Sequence, residues 1–175
     1  MGFQLRFGYR FEAAHRLTHS CAAKCMTPHG HTWRADVTLC SKTDDLDEAD
    51  MVVEFSRAKR LWKQLLDETF DHSMLIHVDD PLLPLLRETI DDVRVLPFPS
   101  DPTTERIAQL LFRKMEAFID AEDLGALVDV AEVHVQETPT NSVSYAPSSS
   151  APSTVNGYTG WWTTANPFDR DIEKV

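Results

Sequence analysis

Near its start the sequence reads Phe3-Gln4-Leu5-Arg6-Phe7-Gly8-Tyr9-Arg10-Phe11, in which aromatic or aliphatic side chains alternate with polar residues or glycine. A period of two that is rich in aromatics predicts a β-strand with one buried face. If this strand continues, Ala13 and His15 lie on the same face as the aromatics. The alternation returns in residues 31–39, which predict a second strand, antiparallel to the first.

Two later segments show the spacing of apolar side chains that is typical of helices. The first stripe consists of Ala58, Leu61, Trp62, Leu65 and Leu66, and the second of Ile107, Leu110, Leu111, Met115, Phe118 and Ile119. Thr103 or Thr104 is expected to open the second helix. Residues 128–137 and 142–145 are predicted as a third and a fourth strand, and the proline-rich residues 77–102 as a long connection. The order strand, strand, helix, helix, strand, strand predicts an α+β fold: an antiparallel four-stranded sheet with two helices on one face.

The composition changes near residue 146. Residues 147–154 are dominated by Ser and Pro, which is typical of a linker. The last twenty residues hold the aromatics Tyr158, Trp161, Trp162 and Phe168, too many for simple disorder. We therefore expect a folded domain over residues 1–146, and a Ser/Pro linker with an aromatic C-terminal tail over residues 147–175. That tail is expected to dock on its own domain or on a neighbouring subunit.

Composition excludes several classes of function. With 42% apolar and 26% charged residues, the chain has the balance of a soluble globular protein. Its apolar runs are too short for a membrane helix. The net charge of −11 argues against nucleic-acid binding, which needs a basic face. Three cysteines cannot all pair within one chain, and residues 1–7 lack a signal-peptide core. These features predict thiols or metal ligands in a reducing cytoplasm.

Histidines are placed where they can share a metal ion. Residues two apart on a strand share a face, so His29 and His31 can present two imidazoles to one ion. If the first two strands pair, His15 can complete the triangle. Three neutral imidazoles suit zinc and leave its fourth position open for water or substrate, as in catalytic sites.

The cysteines allow two other interpretations. Cys21, Cys25, His29 and His31 could form a closed, purely structural zinc site, although their spacing is tight for one. Alternatively Cys25 stays free as a thiol near the metal, where it could serve as a base or a nucleophile.

Two acidic residues are candidates for further chemistry. Asp71 stands beside His72, and a carboxylate that fixes an imidazole tautomer makes the pair a proton donor or acceptor. Glu137, at the end of the third strand, could accept two N–H donors from a heterocycle edge. His134 is expected to point to the face opposite Val133 and Val135 and to have no role in the site.

Four separated motifs resemble those of the 6-pyruvoyltetrahydropterin synthase family, which includes the bacterial 6-carboxytetrahydropterin synthases of queuosine precursor biosynthesis. The motifs are Phe11–Leu17 with His29-Gly30-His31, Asp71–Leu75, Pro102–Glu105 and Val135–Thr138, and they occur in the family's order. The resemblance covers about residues 3–146. Cys25, which precedes His29 with three residues between them, has the spacing of the queuosine branch. Departures from the pattern are Glu54, Ile76 and Arg106.

The resemblance implies a T-fold and a set of site residues. It implies that His15, His29 and His31 bind zinc. Cys25 would be the general base, and Asp71 with His72 the proton relay. The pterin ring would be anchored by Glu137, helped by Thr103 and Thr104. The resemblance also implies a homo-oligomer, a hexamer of two stacked trimers, with active sites between subunits.

The implied reaction is that of a lyase acting on a pterin triphosphate. It would convert 7,8-dihydroneopterin triphosphate to 6-carboxy-5,6,7,8-tetrahydropterin, acetaldehyde and triphosphate. The alternatives are 6-pyruvoyltetrahydropterin synthase activity, by triphosphate elimination, and a non-catalytic zinc-stabilised binding module. Because the substrate is strongly anionic and the chain acidic, local cations are needed. Arg16, Lys24 and Arg34 are the candidates.

Overall fold

Six strands form one mixed sheet in the computed structural model, which describes residues 2–19 and 22–175. The strands of this sheet are β1 (Gln4–His15), β2 (His29–Ser41), β3 (Ser73–His77), β4 (Val95–Phe98), β5 (Val128–Thr138) and β6 (Asn141–Tyr145). The helices are α1 (Ala23–Met26), α2 (Phe55–Leu65), α3 (Leu82–Thr89) and α4 (Thr104–Ala121). A short hairpin of β7 (Tyr158–Gly160) and β8 (Ile172–Lys174) follows.

The first two strands pair along their whole length, as the alternation predicts. They are antiparallel, with Phe11 opposite Trp33 and His15 opposite His29. The alternate side chains of β1 from Leu5 to Ala13 that face the core are buried, apart from Tyr9, which is partly exposed. The predicted α+β class is therefore confirmed, and this pair is the centre of the sheet.

The predicted four-stranded antiparallel sheet is wrong in its extent. The sheet order is β4-β3-β1-β2-β5-β6, and β3 and β4 run parallel to β1. The segment 77–102, predicted as a connection, contains α3 and β4. Both added strands are short, and Pro97 lies inside β4. Proline is tolerated there because β4 is an edge strand, where one N–H is not needed by the sheet.

Helices α2 and α4 cover one face of the sheet. Helix α4 packs on β5 and β6, and α2 contacts β1 and α4. Their apolar stripes are buried in the main core, as their spacing predicts. Thr103 caps α4, because its side-chain hydroxyl accepts a hydrogen bond from the Arg106 N–H at 3.3 Å. Among the described residues, no helix is long and apolar enough to cross a membrane.

The aromatic tail packs into the core of its own chain. Trp161 and Trp162 are fully buried. The Trp161 ring lies edge-on against Phe70 and Phe98, with centroids 5.5 and 5.4 Å away. Its Nε1–H donates to the Pro97 carbonyl at 2.9 Å. Buried aromatic rings of this size contribute strongly to stability, so the tail is an integral part of the fold.

Candidate active site

The pairing of β1 with β2 brings three imidazoles together. His15 lies opposite His29, and Ala13 lies opposite His31, so all three rings reach the same end of the strand pair. One nitrogen from each ring lies within 4.8 Å of the others, and the Nε2 atoms of His15 and His29 are 3.1 Å apart. This is the convergence that a shared metal ion requires.

Two backbone carbonyls fix the orientation of these rings. The Nδ1 atom of His15 lies 2.9 Å from the Pro102 carbonyl, and that of His29 lies 2.8 Å from the Thr27 carbonyl. Since a carbonyl oxygen can only accept, each Nδ1 must carry the proton. Each Nε2 then keeps a lone pair that faces the other ring. Metal-binding histidines are oriented in this way, so these residues fit a metal ion.

Burial favours the neutral form of two of the rings, His15 and His31. It lowers the pKa of His15, an effect that the hydrogen bond to Pro102 opposes and the neighbouring His29 reinforces. Burial also lowers the pKa of His31, against the opposing charge of Glu137. The Glu137 carboxylate lies 3.8 Å from the His15 Nε2. Only a neutral imidazole can donate a lone pair to a metal, so the electrostatics favour binding.

Asp71 and His72 form a hydrogen-bonded pair. The Asp71 Oδ2 accepts from the His72 Nδ1 at 2.6 Å, and its Oδ1 accepts from the Glu12 backbone N–H at 2.7 Å. Partial burial alone would raise the pKa of Asp71, but these hydrogen bonds outweigh it and the pKa is lowered. The carboxylate therefore stays ionised. It fixes the proton of His72 on Nδ1 and leaves Nε2 as the atom that can exchange a proton.

A cavity lies between His72 of this pair and His31 of the histidine cluster. His72 and His31 line the same cavity of about 750 Å³. Glu137 lines a second cavity, of about 520 Å³, together with Thr103 and Thr104. It also lines a third, of about 480 Å³, with His31 and Arg34. Five of the predicted site residues thus line these cavities: His31, His72, Thr103, Thr104 and Glu137.

Cys25 lies on the one-turn helix α1, between β1 and β2. Its carbonyl accepts from the Leu17 backbone N–H at 2.9 Å, which folds this connection back on itself. Its thiol is partly exposed and unpaired, and it does not belong to the histidine cluster found among the described residues. Cys21, the other thiol of the closed-site alternative, lies outside the described residues.

The proposed cations are already paired in part. The Arg16 Nε lies 3.1 Å from the Asp80 Oδ2, and Arg34 donates twice to Asp36, at 2.8 and 2.7 Å. Lys24 is exposed on α1. Sequence reasoning missed Arg10, which lies opposite Arg34 and lines the same cavity. The only signal for it was its place in the polar alternation of β1.

Sequence reasoning also missed the groups that orient the site. The Pro102 and Thr27 carbonyls are backbone groups, which every residue has, so the type of residue at these positions does not predict their role. Arg94 donates to the Asp71 carbonyl through Nη2 at 2.9 Å, but it lies in the segment predicted as a connection.

Comparison with a solved structure identifies the fold. The chain matches the structure of 6-pyruvoyl tetrahydropterin synthase from Caenorhabditis elegans with a TM-score of 0.57 and 24% identity, over 83% of this chain and 96% of that chain. This likeness confirms the T-fold architecture that the resemblance implied. The histidine cluster lies at the end of the strand pair on which that architecture is built.

Sequence comparison then gives the family. A sequence model of the 6-pyruvoyl tetrahydropterin synthase family matches residues 4–148, and the chain belongs to this family. Two curated relatives are named 6-carboxy-5,6,7,8-tetrahydropterin synthase. The one from Aquifex aeolicus is 32% identical, over 83% of this chain and 98% of the relative. The one from Bacillus subtilis is 30% identical, over 83% and 86%.

Replacing one histidine of the cluster should abolish tight metal binding. In His29→Ala two imidazoles remain, and we expect the affinity for Co²⁺ to fall by about 100-fold or more, since losing only an outer-shell partner of a ligand already costs about 10–100-fold. Titration followed by the visible absorption of bound cobalt measures this. His134→Ala is the matched control, because its ring bonds the Ser144 hydroxyl at 3.0 Å, away from the cluster. Equal binding by both variants would contradict the assignment.

Proposed function

We propose that the protein is a 6-carboxytetrahydropterin synthase. It would convert 7,8-dihydroneopterin triphosphate, with uptake of water, to 6-carboxy-5,6,7,8-tetrahydropterin, acetaldehyde and triphosphate. The observation that supports this best is the convergence of the Nε2 atoms of His15 and His29 next to His31. His72, which is hydrogen-bonded to Asp71, lines a cavity together with His31. Two relatives with that name, which align over most of the chain, favour it over the other pterin synthases.

Zinc is the proposed metal, held by His15, His29 and His31. Three imidazoles are a ligand set typical of catalytic zinc, and the protons of His15 and His29 are fixed on Nδ1, away from the shared position. When bound there, zinc would lower the pKa of a substrate hydroxyl, as it does for water. The remaining chemistry falls to the side chains around it.

Cys25 and the Asp71–His72 pair would move the protons. In this proposal the Cys25 thiolate removes a proton from the substrate side chain. His72 returns a proton from Nε2, while the ionised Asp71 holds its Nδ1. A thiol base must stay reduced, which supports the expectation of a cytoplasmic enzyme.

Glu137 would hold the pterin ring. An ionised carboxylate accepts two parallel N–H donors, which is what the guanidine-like edge of a pterin offers. Glu137 lines its cavity together with Thr103 and Thr104 at the start of α4. Backbone N–H groups in the first turn of a helix have no partner within the helix and can meet the acceptors of the ring. The ring would then bind next to the metal site, because the Glu137 carboxylate lies 3.8 Å from the His15 Nε2.

Product analysis tests the reaction directly. The zinc-loaded protein, incubated with 7,8-dihydroneopterin triphosphate, should release 6-carboxytetrahydropterin and acetaldehyde in equal amounts. Liquid chromatography with mass spectrometry identifies both products. Accumulation of 6-pyruvoyltetrahydropterin without acetaldehyde would assign the protein to the other branch of the family.

Loss of the Cys25 thiol should abolish turnover without loss of metal. We expect kcat of Cys25→Ala to fall by about 100-fold or more, the scale of a general base, while bound zinc is unchanged by elemental analysis. Cys40→Ala is the control, because that thiol lies at the end of β2 opposite to His29 and donates to the Asp129 carbonyl of β5. X-ray absorption on the wild-type protein should show only nitrogen and oxygen around zinc. Sulfur there would favour the closed Cys and His site instead.

We also propose that the chain assembles into a hexamer of two stacked trimers with sites between subunits. Of the two edge strands of the sheet, β4 is buried and bonded by Trp161 of the tail, whereas β6 is exposed or half-buried along its length. The edge of β6 therefore leaves backbone groups available for pairing with another chain. Three residues of β6 line the cavity of Glu137, so a neighbour on that edge would close the site. Light scattering should give the molar mass of a hexamer. A monomer that is fully active would contradict the shared sites.

A further inference from the structure

The segment that carries the relay pair has an unusual backbone. Helix α2 continues into a π-helical turn over Leu66–Phe70, and the Asp71 N–H donates to the Leu66 carbonyl at 2.8 Å. His72 then adopts a left-handed backbone with φ of 55°. Such a conformation is costly for a residue with a side chain and persists only where its surroundings hold it. The position of His72 therefore depends on what packs against this turn.

Part of that support comes from the sheet. Arg94 donates through Nη2 to the carbonyls of Glu68 and Asp71, at 2.7 and 2.9 Å. The Ser73 hydroxyl donates to the Thr69 carbonyl at 2.7 Å. These bonds satisfy carbonyls that the end of a helix leaves without partners. All of these groups lie in the part of the chain that matches the family.

The rest of the support comes from the C-terminal tail. The Thr69 hydroxyl, which is buried, donates to the Pro167 carbonyl at 2.7 Å. Arg170 donates through Nη2 to the Glu68 carbonyl at 2.6 Å. The Phe70 ring packs edge-on against Trp161 at 5.5 Å. Three consecutive residues of the turn thus contact the segment 161–170, which lies beyond residue 148, where the family match ends.

A buried lysine holds this part of the tail in place. The Lys114 side chain is fully buried in α4, and its Nζ donates to the carbonyls of Trp161, Thr164 and Asn166 at 2.6, 2.8 and 2.8 Å. Burial lowers the pKa of Lys114 to about 8, against the opposing charge of Asp169. The ammonium form, which alone can donate three hydrogen bonds, still predominates at pH 7. The tail is therefore a fixed support rather than a loose end.

We propose that residues 161–170 are a positioning element for the relay, acting through the turn 66–70 on Asp71 and His72. This inference rests on the relay role assigned above to those two residues. Thr69 and Arg170 are positioning residues in this scheme. They act by keeping the His72 ring aligned with Asp71 on one side and with the cavity on the other.

The test removes single contacts between the tail and the turn. Thr69→Val deletes the hydroxyl that bonds Pro167 while keeping the side-chain shape, and Arg170→Gln deletes the bond to Glu68. In the zinc-loaded full-length protein each should lower kcat by about tenfold, because small misplacements of a reacting group are costly. The KM for the pterin triphosphate and the zinc content should not change.

The matched control lies in the same tail but away from the turn. The Tyr158 hydroxyl donates to the Asp79 carboxylate, with its Oδ2 and Oδ1 at 3.1 and 3.3 Å, and Tyr158→Phe removes only this interaction. We expect it to lower the melting temperature as much as Thr69→Val or less, with kcat unchanged. If the tail only stabilises the fold, kcat of all three variants will fall in proportion to the fraction of folded protein. That result would overturn the proposal.

A second measurement needs no turnover. The ¹⁵N shifts of the His72 ring report its tautomer, and in the wild-type protein the Nδ1–H form should dominate. Thr69→Val should move the ring toward a mixture, whereas Tyr158→Phe should not. An unchanged His72 ring in Thr69→Val would also overturn the positioning role. If the ring moves but Asp71→Asn keeps full activity, the positioning stands and the relay itself is wrong.

Discussion

The site depends on the register between β1 and β2. With His15 opposite His29, both imidazoles reach the same face at the end of the pair, and His31 follows two residues along. A slip by one residue would turn every side chain of one strand to the other face of the sheet. The buried aromatic side chains of the two strands, Phe7, Phe11 and Trp33, fix this register, since a slip would expose those of one strand to water. The packing of the core and the assembly of the histidine cluster are therefore one constraint.

Burial sets the chemistry of that site. His15 is almost fully buried, and an imidazole there avoids charge because the interior solvates a cation poorly. The Pro102 carbonyl accepts a hydrogen bond from the one N–H of the neutral ring, which fixes the orientation of the ring. Pro102 directly precedes the cap of α4, so the backbone that starts the helix also orients the His15 ring. The Asp71–His72 pair follows the opposite rule, since its carboxylate is kept ionised by hydrogen bonds.

Side-chain patterns predicted much of this structure, and backbone interactions explain the remainder. The patterns of β1, β2 and β5 and the stripes of α2 and α4 were readable because each of these elements has buried residues on one face. Strand β6 has only half-buried and exposed residues. Strands β3 and β4 were not readable, because they are short and Pro97 interrupts the signal. Likewise, the spacing of the histidines predicted that they cluster. The sequence gives no sign of the Pro102 and Thr27 carbonyls that orient two of the rings. The position of Cys25 relative to the cluster also depends on a connection without periodic pattern.

The tail extends this reasoning beyond the family match. A turn that holds His72 in a left-handed conformation must be stabilised from outside, and the matched residues supply only some of the contacts. Trp161 and Lys114 anchor a segment whose Pro167 carbonyl and Arg170 side chain supply the others. Burying an ammonium group is costly unless all its protons are satisfied, and here backbone carbonyls of the tail satisfy them. The cost of burying that charge is therefore offset only while the tail is docked. The docked tail in turn contacts the turn before Asp71, so the packing of the core, the tail and this turn depend on one another.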